Sequence, residues 1–455
     1  MTSPPPASAL PEPTGSPLPA ATKPHGALSV AAFGAAGDGS TDDSAAVLAA
    51  VRAATAKGVP VWFPEGTYAV GDIVLPQGVA MAGSGRDRSW LMGRITFGGD
   101  TRVTDLRVGR DGAATHFTDG AAHTTFRRAE FVGGGGMDSG EDQGVIRFSA
   151  GRSATDIRFI ACLIGANSAD GNGVSMVSNG RAGATYRDIS WVRCLFKGSP
   201  RMNIEVIQRP DGSGVMDAGY SHLDLADCTF EPSGSENISF DALGPAGDCT
   251  ISGCTFLGAG WNTSYPYGQG IEFNGPTGMR FIGNHVYRCR GSMINHSGRA
   301  GTDAGTVIEG NIFDATRSYI DVAPARASQV IYFSGVDGAT FKDNQVRADV
   351  GGELLYMDGS SRNRFSGNTW TDVRPHGKAL ACALITDASS SNVFTDERFE
   401  TASGDVAVYI SNGAQDNAFL ACAFVLPAAS QTAGTSGIAA DPDLRVTTRG
   451  GAVTQ

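Results

Sequence analysis

The stretch Arg280-Phe281-Ile282-Gly283-Asn284-His285-Val286 carries a phrase that returns throughout the chain. Alternating apolar residues lead to one Asn or Cys, and a further alternating pair follows it. Copies recur every 23 to 34 residues. Cys holds the central position at residues 162, 194, 228 and 254, and Asn holds it at residues 284, 311, 344 and 368. Weaker copies centre on Leu106, Ala129, Glu397 and Cys422.

A repeat of this length is one supersecondary unit, and it buries its apolar face only by stacking on its neighbours. Residues on both sides of the central position alternate with a period of two, as in His222-Leu223-Asp224-Leu225, which is typical of strands. Asn suits a sharp bend, because its side chain bonds nearby backbone and tolerates left-handed geometry. The pattern therefore predicts an all-β solenoid of about twelve rungs, with the Asn side chains stacked about 4.8 Å apart.

The first part of the solenoid region carries a second signature. Residues 33–43, an alanine-rich segment and residues 62–68 together resemble the opening motif of the pectate-lyase-like superfamily of right-handed parallel β-helices. That superfamily includes polysaccharide-degrading enzymes and phage tailspikes, so the resemblance implies this fold and a poly- or oligosaccharide ligand. Ser40 and Asp43 are spaced like a capping box, and Gly58 is a natural stop. We expect the intervening helix to cap the open end of the solenoid.

Composition divides the chain into three predicted parts. Residues 1–26 contain eight prolines and are expected to be a disordered linker, residues 27–425 one β-helix domain, and residues 426–455 a polar tail. The expected location is extracellular, with virion-associated as the alternative, although no secretory signal and no membrane-spanning run is visible. The net charge of −11 argues against a nucleic-acid partner.

The eight cysteines do not predict a disulfide framework. Most occupy the repeated central position, where side chains on stacked strands point in parallel and fit disulfide geometry poorly. We expect buried thiols. No Cys/His spacing indicates a zinc site, and no metal or cofactor is predicted.

Three rungs align on the strand that follows the bend and a variable loop: residues 203–207, 237–241 and 270–274. Their apolar members must face inward, so alternation sends Glu205, Ser239 and Glu272 outward in one column. Asp241 and Asn274 fall in a second outward column. The Cα of Asp241 is then about 8 Å from those of Glu205 and Glu272, from the rung spacing and the rise along a strand. Residues 319–322 are expected to continue the first column.

This span suits either geometry of carboxylate-pair glycoside hydrolysis. Asp241 and Glu272 are the predicted catalytic pair, with Glu205 tuning them or binding. The loop from Trp261 to Tyr267 is rich in aromatic residues, which have an apolar face and a polar tip that suit sugar rings. The predicted substrate-binding residues are Trp261, Tyr265, Tyr267, Asn203, Asn237, Asn274, Arg209, Arg288 and His296.

Other interpretations of these residues stay open. A polysaccharide lyase would use an arginine flanking the same strands as its base, since the resemblance implies that role in pectate lyases. A phage tailspike-like adhesin would only hold glycan in the groove, and the proline-rich start favours it. The carboxylates could equally be solvated side chains of a strand face. Homotrimers recur in the superfamily, so a homotrimer is an open alternative to a monomer.

Overall fold

The computed structural model describes residues 20–149, 152–178, 185–208, 219–242, 248–274, 278–298, 305–316, 329–349, 352–373, 381–402, 406–426, 438–440, 446–449 and 452–453. They form two compact units, Met1–Glu205 and Val206–Gln455, and each is described by itself. The chain is mostly β and folds as a right-handed parallel β-helix, which confirms the predicted fold class. That one domain covers residues 27–425 stays a prediction.

Each rung contributes strands to three parallel stacks. The first stack precedes the bend, the second follows it, and the third, which we call the front stack, closes the rung. In the first unit the first stack contains Leu28–Ser29, Val61–Phe63, Ala80–Gly83, Arg102–Thr104, Ala121–Arg127, Ala154–Ile160 and Thr185–Val192. The second stack contains Arg107–Val108, Glu130–Gly133, Leu163–Asn167 and Leu195–Phe196. The front stack contains Thr115–Phe117, Ile146–Phe148 and Val174–Ser178, followed in sequence by Ile204–Gln208, in which the boundary between the units falls.

Three further strands pair with one another near the start of the first unit. Asp38–Asp42, Gly66–Val74 and Ser89–Phe97 pair in parallel in that order, and the last pairs with both Arg107–Val108 and Thr115–Phe117. Two 3₁₀ turns, Val30–Phe33 and Gly140–Asp142, complete the unit.

The second unit repeats the same three stacks. Its first stack contains Gly219–Ala226, Thr250–Ser252, Arg280–Ile282, Val307–Glu309, Thr340–Lys342, Arg364–Ser366, Val393–Thr395, Asn417–Leu420 and Val446–Arg449. Its second stack contains Thr229–Phe230, Thr255–Phe256, His285–Tyr287, Ile312–Ala315, Gln345–Ala348, Thr369–Asp372, Arg398–Thr401, Ala423–Val425 and Ala452–Val453. Its front stack contains Ile238–Ala242, Ile271–Asn274, Ile294–Ser297, Ile331–Ser334, Leu355–Asp358, Ala381–Thr386, Val406–Ile410 and Ile438–Ala440. The last strand of each stack lies beyond residue 425, where the sequence predicted a polar tail.

The α-helix Ser44–Lys57 is the predicted N-terminal cap. It contacts Leu28–Ser29 and Val61–Phe63 and buries Val47 and Val51. Gly58 ends it with φ of 64°, as expected. The predicted capping box is wrong, because the helix begins only at Ser44. The buried carboxylate of Asp43 instead accepts the backbone N–H groups of Ala36 and Gly37, at 2.7 and 3.0 Å.

The repeated Asn side chains form a continuous hydrogen-bonded ladder in the second unit. The Oδ1 atom of Asn311 accepts the backbone N–H of Asn284 at 2.8 Å, and the Nδ2 group of Asn311 donates to the carbonyl oxygen of Phe281 at 2.9 Å. Asn344 and Asn368 repeat both contacts one and two rungs further on. All twelve central residues of the repeat are at most 2% exposed. The bend position is therefore an internal column, as the repeat predicts.

The left-handed residue of each bend is the one before the central position, and the sequence did not predict this. Gly283, Gly310 and Gly367 have φ between 61° and 68°, and Asp227 and Asp343 have φ of 53° and 55°. Glycine, Asp and Asn pass most readily into this region. The recurring Gly-Asn and Asp-Asn pairs thus divide two roles, because the first residue turns the chain and the second bonds the neighbouring rungs.

The cysteines of the central column are buried thiols, which agrees with the sequence expectation. Each donates a weak hydrogen bond to backbone carbonyl oxygens, as Cys162 does to those of Phe126 and Ile160 at 3.5 Å.

Glu397 ends the Asn ladder as a buried carboxylate. Its Oε1 atom accepts the backbone N–H of Asn368 at 3.1 Å, and its Oε2 atom accepts the indole N–H of Trp370 at 2.6 Å. Burial raises the pKa of Glu397 to about 7, although these hydrogen bonds act in the opposite direction. The folded chain therefore keeps this proton at a pH where the unfolded chain has lost it.

We expect this carboxyl to make stability depend on pH. Its contribution is fully present below pH 4.5 and is lost as pH rises to about 7, which amounts to roughly 3 kcal/mol at 1.36 kcal/mol per pKa unit. Urea unfolding at pH 5 and pH 8 measures the difference, and Glu397→Gln should remove that part of it. An unchanged pH dependence in the variant would contradict the assignment.

Candidate active site

The outer face of the front stack in the second unit holds the predicted carboxylate pair. Ser239 pairs in register with Glu272, and Asp241 pairs with Asn274. Phe240 and its neighbours on the inner face are at most 1% exposed. The register that the sequence predicted across residues 255–269 is therefore correct within this unit.

Glu272 is half-buried and its orientation is defined. The hydroxyl of Ser239, itself 3% exposed, donates to Oε2 of Glu272 at 2.6 Å. Asp241 is also half-buried, one rung away and two residues further along its strand. Rung spacing and strand rise place the two Cα atoms about 8 Å apart. Two carboxylates thus share one partly shielded face.

The aromatic loop lies directly before the Glu272 strand and is held by backbone contacts. The N–H groups of Gly260 and Asn262 donate to the carbonyl oxygens of Ser233 and Gly234, at 2.9 and 3.0 Å. The Trp261 indole N–H donates to the carbonyl oxygen of Pro232 at 3.1 Å. Tyr267 is 59% exposed. The loop therefore presents an aromatic surface on a fixed backbone.

Arg290 anchors the far end of this loop. Its guanidinium donates to the carbonyl oxygens of Tyr265 and Tyr267, and the side chain is only 6% exposed. Its stem passes so close to Gly260 and Gly268 that a Cβ on either glycine would lie 2.8 or 2.9 Å from the Arg290 Cβ. Burial lowers the pKa of Arg290, while the charge of the buried Glu236 acts in the opposite direction. Arg290 is one of the four arginines, with Arg201, Arg209 and Arg288, that flank the groove strands in the sequence and from which a lyase would take its base. Glu236 was not a predicted site residue.

Replacing Arg290 with Gln should loosen the loop. One net hydrogen bond is worth about 1 kcal/mol, so cleavage by chymotrypsin at Trp261 or Tyr267 should accelerate by on the order of tenfold. Arg364→Gln, at an exposed position of the first stack, is the matched control and should leave the cleavage rate unchanged. Equal rates in the two variants would show that Arg290 does not hold the loop.

Three predicted substrate-binding residues are buried, so their predicted contact with substrate is wrong. Asn203 accepts the N–H of Ser199 at 3.1 Å, and Asn237 donates to the carbonyl oxygen of Gly258 at 2.6 Å. His296 lies between the rings of Phe273 and Phe333 inside the front stack. Burial lowers the pKa of His296 to about 4, so its imidazole is neutral. These side chains support the fold.

Glu205 lies in the first unit. The sequence predicted that its side chain faces solvent, but the side chain is covered. It is 1% exposed and ion-paired with Arg201. Asn172 donates to its Oε2 atom at 2.6 Å, and Gln143 lies 3.5 Å from the same oxygen. Loops that follow the second stack supply these partners, which strand alternation does not reveal.

The same face of the first unit carries further polar residues that sequence reasoning missed. Arg147 and His116 are outward neighbours on paired front-stack strands, both at most 6% exposed. The Nη1 group of Arg147 donates to Ser175 Oγ at 2.8 Å, and His116 Nε2 lies 3.7 Å from Asp142 Oδ1. Burial lowers the pKa of His116, and Asp142 acts in the opposite direction. The alternation of Ile146-Arg147-Phe148 was the available signal.

Arg288 directly follows a strand of the second stack, whereas the carboxylate pair lies on front-stack strands. Arg288 lines a cavity of about 320 Å³ with five other residues. Those residues are Asp314, Thr316, Arg347, Asp349 and Val373. Arg209 and residues 319–322 lie outside the described residues.

The part of the chain that the structure describes contains neither a metal-binding cluster nor a membrane-spanning helix. That part contains no group of three or more His, Cys, Asp or Glu side chains arranged to hold a metal ion. None of its helices has the length and apolar character needed to cross a bilayer.

Comparisons with known proteins place the fold. Residues 27–198 match the family described as rhamnogalacturonase A/epimerase, pectate lyase-like. No curated protein matches the sequence. Among solved structures, tailspike protein 3 of bacteriophage CBA120 is 14% identical with a TM-score of 0.57, and the match covers 94% of this chain and 62% of that one. This chain thus spans less than two thirds of that tailspike.

Two other structures agree on the fold. The Dettilon tailspike protein is 14% identical with a TM-score of 0.53, covering 85% of this chain and 68% of that one. PfbA, a surface adhesin of Streptococcus pneumoniae, is 14% identical with a TM-score of 0.50, covering 88% and 92%. The opening motif and these matches confirm the predicted resemblance: the chain folds as a right-handed parallel β-helix, and residues 27–198 match a pectate lyase-like family.

Proposed function

We propose that this protein is a carbohydrate-active enzyme that cleaves or transfers glycosidic bonds of a polysaccharide. Asp241 and Glu272 are the proposed reacting carboxylates. The observation that carries the proposal is the oriented, half-buried Glu272, held by Ser239 on the same face as Asp241. Either geometry of glycoside hydrolysis fits carboxylates at this spacing, since side chains can close or widen the distance of about 8 Å between Cα atoms.

In the proposed reaction one carboxyl protonates the leaving oxygen, and the other acts on the opposite face of the sugar ring. That second carboxylate either attacks the anomeric carbon or takes a proton from the attacking water. The loop of Trp261, Tyr265 and Tyr267 supports sugar binding beside the pair, because their rings combine an apolar face with a polar tip. Asn274, next to Asp241 in the register, is the proposed amide contact.

The lyase alternative has less support from the geometry. Arg290 donates to two loop carbonyl oxygens, and Arg201 is paired with Glu205. Arg288 lies at the second stack, whereas the carboxylates lie on the front stack. The guanidinium groups of Arg290 and Arg201 are therefore engaged with oxygen atoms of the protein itself.

A glycan-binding adhesin is the second candidate, favoured by the fold shared with two phage tailspikes and a surface adhesin. In this alternative the protein is extracellular or virion-associated, and it assembles as a homotrimer. The groove then retains glycan without cleaving it. Both candidates share the carbohydrate ligand and differ in whether a product forms.

A panel of neutral and acidic polysaccharides separates the candidates. Products are read by mass, and unsaturated chain ends by ultraviolet absorbance. Saturated products that disappear in Asp241→Asn and Glu272→Gln would support the proposed enzyme. Absorbing products would overturn it in favour of a lyase, and retention on a polysaccharide without any product would favour the adhesin.

A further inference from the structure

The front stack of the second unit continues beyond Glu272 as two outward columns. Strand pairing places Asn295 beside Glu272, Tyr332 beside Asn295, and Tyr356 beside Tyr332. Leu384 and Tyr409 follow on the next two rungs. The parallel column contains Ser297, Ser334, Asp358 and Thr386. The residues between the columns, such as Phe333 and Met357, are fully buried.

Two tyrosine rings dominate this surface. The ring centroids of Tyr332 and Tyr356 are 5.5 Å apart with planes inclined by 50°, and both side chains are half-exposed. The hydroxyl of Tyr332 donates to Oδ2 of Asp358 at 3.3 Å. Burial raises the pKa of both tyrosines, so they stay neutral hydroxyls at physiological pH. The surface therefore joins apolar ring faces to hydrogen-bonding groups.

The charge of the surface restricts its ligand. Neither column contains a Lys or Arg, and Asp358 is a carboxylate. An anionic polymer would meet no compensating cation within the columns and would be repelled by Asp358. A neutral sugar offers an apolar ring face for the tyrosines and hydroxyls for Ser334 and Asp358. The chemistry thus favours a neutral saccharide.

The first column runs from Glu272 towards the two tyrosines. Tyr332 and Tyr356 lie two and three rungs from Glu272, or about 10 and 14 Å at the strand spacing. We propose that Tyr332, Tyr356 and Asp358 form a binding platform for a neutral stretch of a polysaccharide whose chain also reaches Glu272. This inference rests on the proposed function for its ligand class. It adds that the ligand is neutral where it crosses the platform and long enough to span at least three rungs.

The test measures binding separately from cleavage. Glu272→Gln protein is run through affinity gels that contain neutral glucans, mannans, galactans or xylans, with an acidic pectate gel for comparison. Retention by at least one neutral polymer is expected, and Tyr332→Ala with Tyr356→Ala should weaken it by at least tenfold. Each ring offers a stacking face, and the loss of two such contacts accounts for an effect of that size. The corresponding Phe variants should retain most of the binding.

Tyr287→Ala is the matched control, because Tyr287 is a half-exposed tyrosine of the second stack. Unchanged retention in the Ala double variant, retention only by pectate, or no retention by any neutral polymer would overturn the platform. Sedimentation of the double variant provides a further check. Loss of an oligomer would show that the tyrosines pack against another copy, and would also overturn it. Failure of the proposed reaction would give a different result, because the wild type would then bind a polysaccharide without forming any product.

Discussion

For the proposed reaction, Glu272→Gln should lower kcat by about 10²–10⁴-fold, the usual contribution of a positioned acid or base. The amide keeps the shape of the side chain and can still accept the Ser239 hydrogen bond, but it cannot exchange a proton or attack as a carboxylate. Asp241→Asn should have an effect of the same order for the same reason. Initial rates of reducing-end formation on the polysaccharide that the wild type cleaves measure both effects.

Glu400→Gln is the matched control for this loss. Glu400 is a half-exposed carboxylate of the second stack, paired with Arg398, so its replacement should leave kcat within about twofold if the front stack alone reacts. Normal unfolding midpoints should accompany the inactive variants. Retention of full activity by Glu272→Gln would remove this residue from the reaction.

Asn311→Ala should lower the free energy of unfolding by about 3–6 kcal/mol. The backbone N–H of Asn284 and the carbonyl oxygen of Phe281 would each lose a buried partner, and the side-chain bonds to Asn284 and Asn344 would also go. Each buried group left unsatisfied costs about 1–3 kcal/mol. Because typical domains are stable by only about 5–15 kcal/mol, the midpoint of chemical unfolding should shift strongly.

The adjacent residue provides the control. Ile312 is 37% exposed, so Ile312→Ala should cost less than about 1 kcal/mol. Asn311→Cys should fall between the two, because a sulfur can accept weakly, as Cys254 does from the N–H of Cys228 at 3.4 Å. If Asn311→Ala and Ile312→Ala destabilise equally, the ladder contributes little beyond its packing.

The repeat revealed most of the fold because every copy carries the same pattern of strand, bend and strand. Period-two alternation identified the strands, and the column of Asn and Cys located the bends. The sequence did not reveal the second ladder, in which Asn392 accepts from the N–H of Asn363 at 3.0 Å and Asn417 accepts from that of Asn392 at 3.1 Å. These three asparagines are too few to stand out as a repeat.

The site was less predictable, because strand alternation determines on which face of the sheet a side chain lies but not whether neighbouring loops bury it. The sequence predicted the pairing of Ser239 with Glu272, because their apolar neighbours must face the core. Glu205 followed the same rule and is nevertheless covered, since Asn172 and Arg201 come from loops with no periodic signal. His296 could have been placed correctly, because it lies two residues after the buried Ile294 and therefore on the same inner face of the strand.

The stacked rings of the second unit bear on how a β-helix of this kind can change length. Phe365, Phe394 and Phe419 repeat one contact at 4.6 Å, and Trp370, Phe399 and Phe424 repeat another at 6.0 and 5.7 Å. Each rung meets its neighbours through nearly the same surface above and below. A whole rung could therefore be gained or lost by duplication or deletion of one repeat, with the new neighbours already complementary. The length of the front stack would then become a heritable variable, independent of the residues on any one rung.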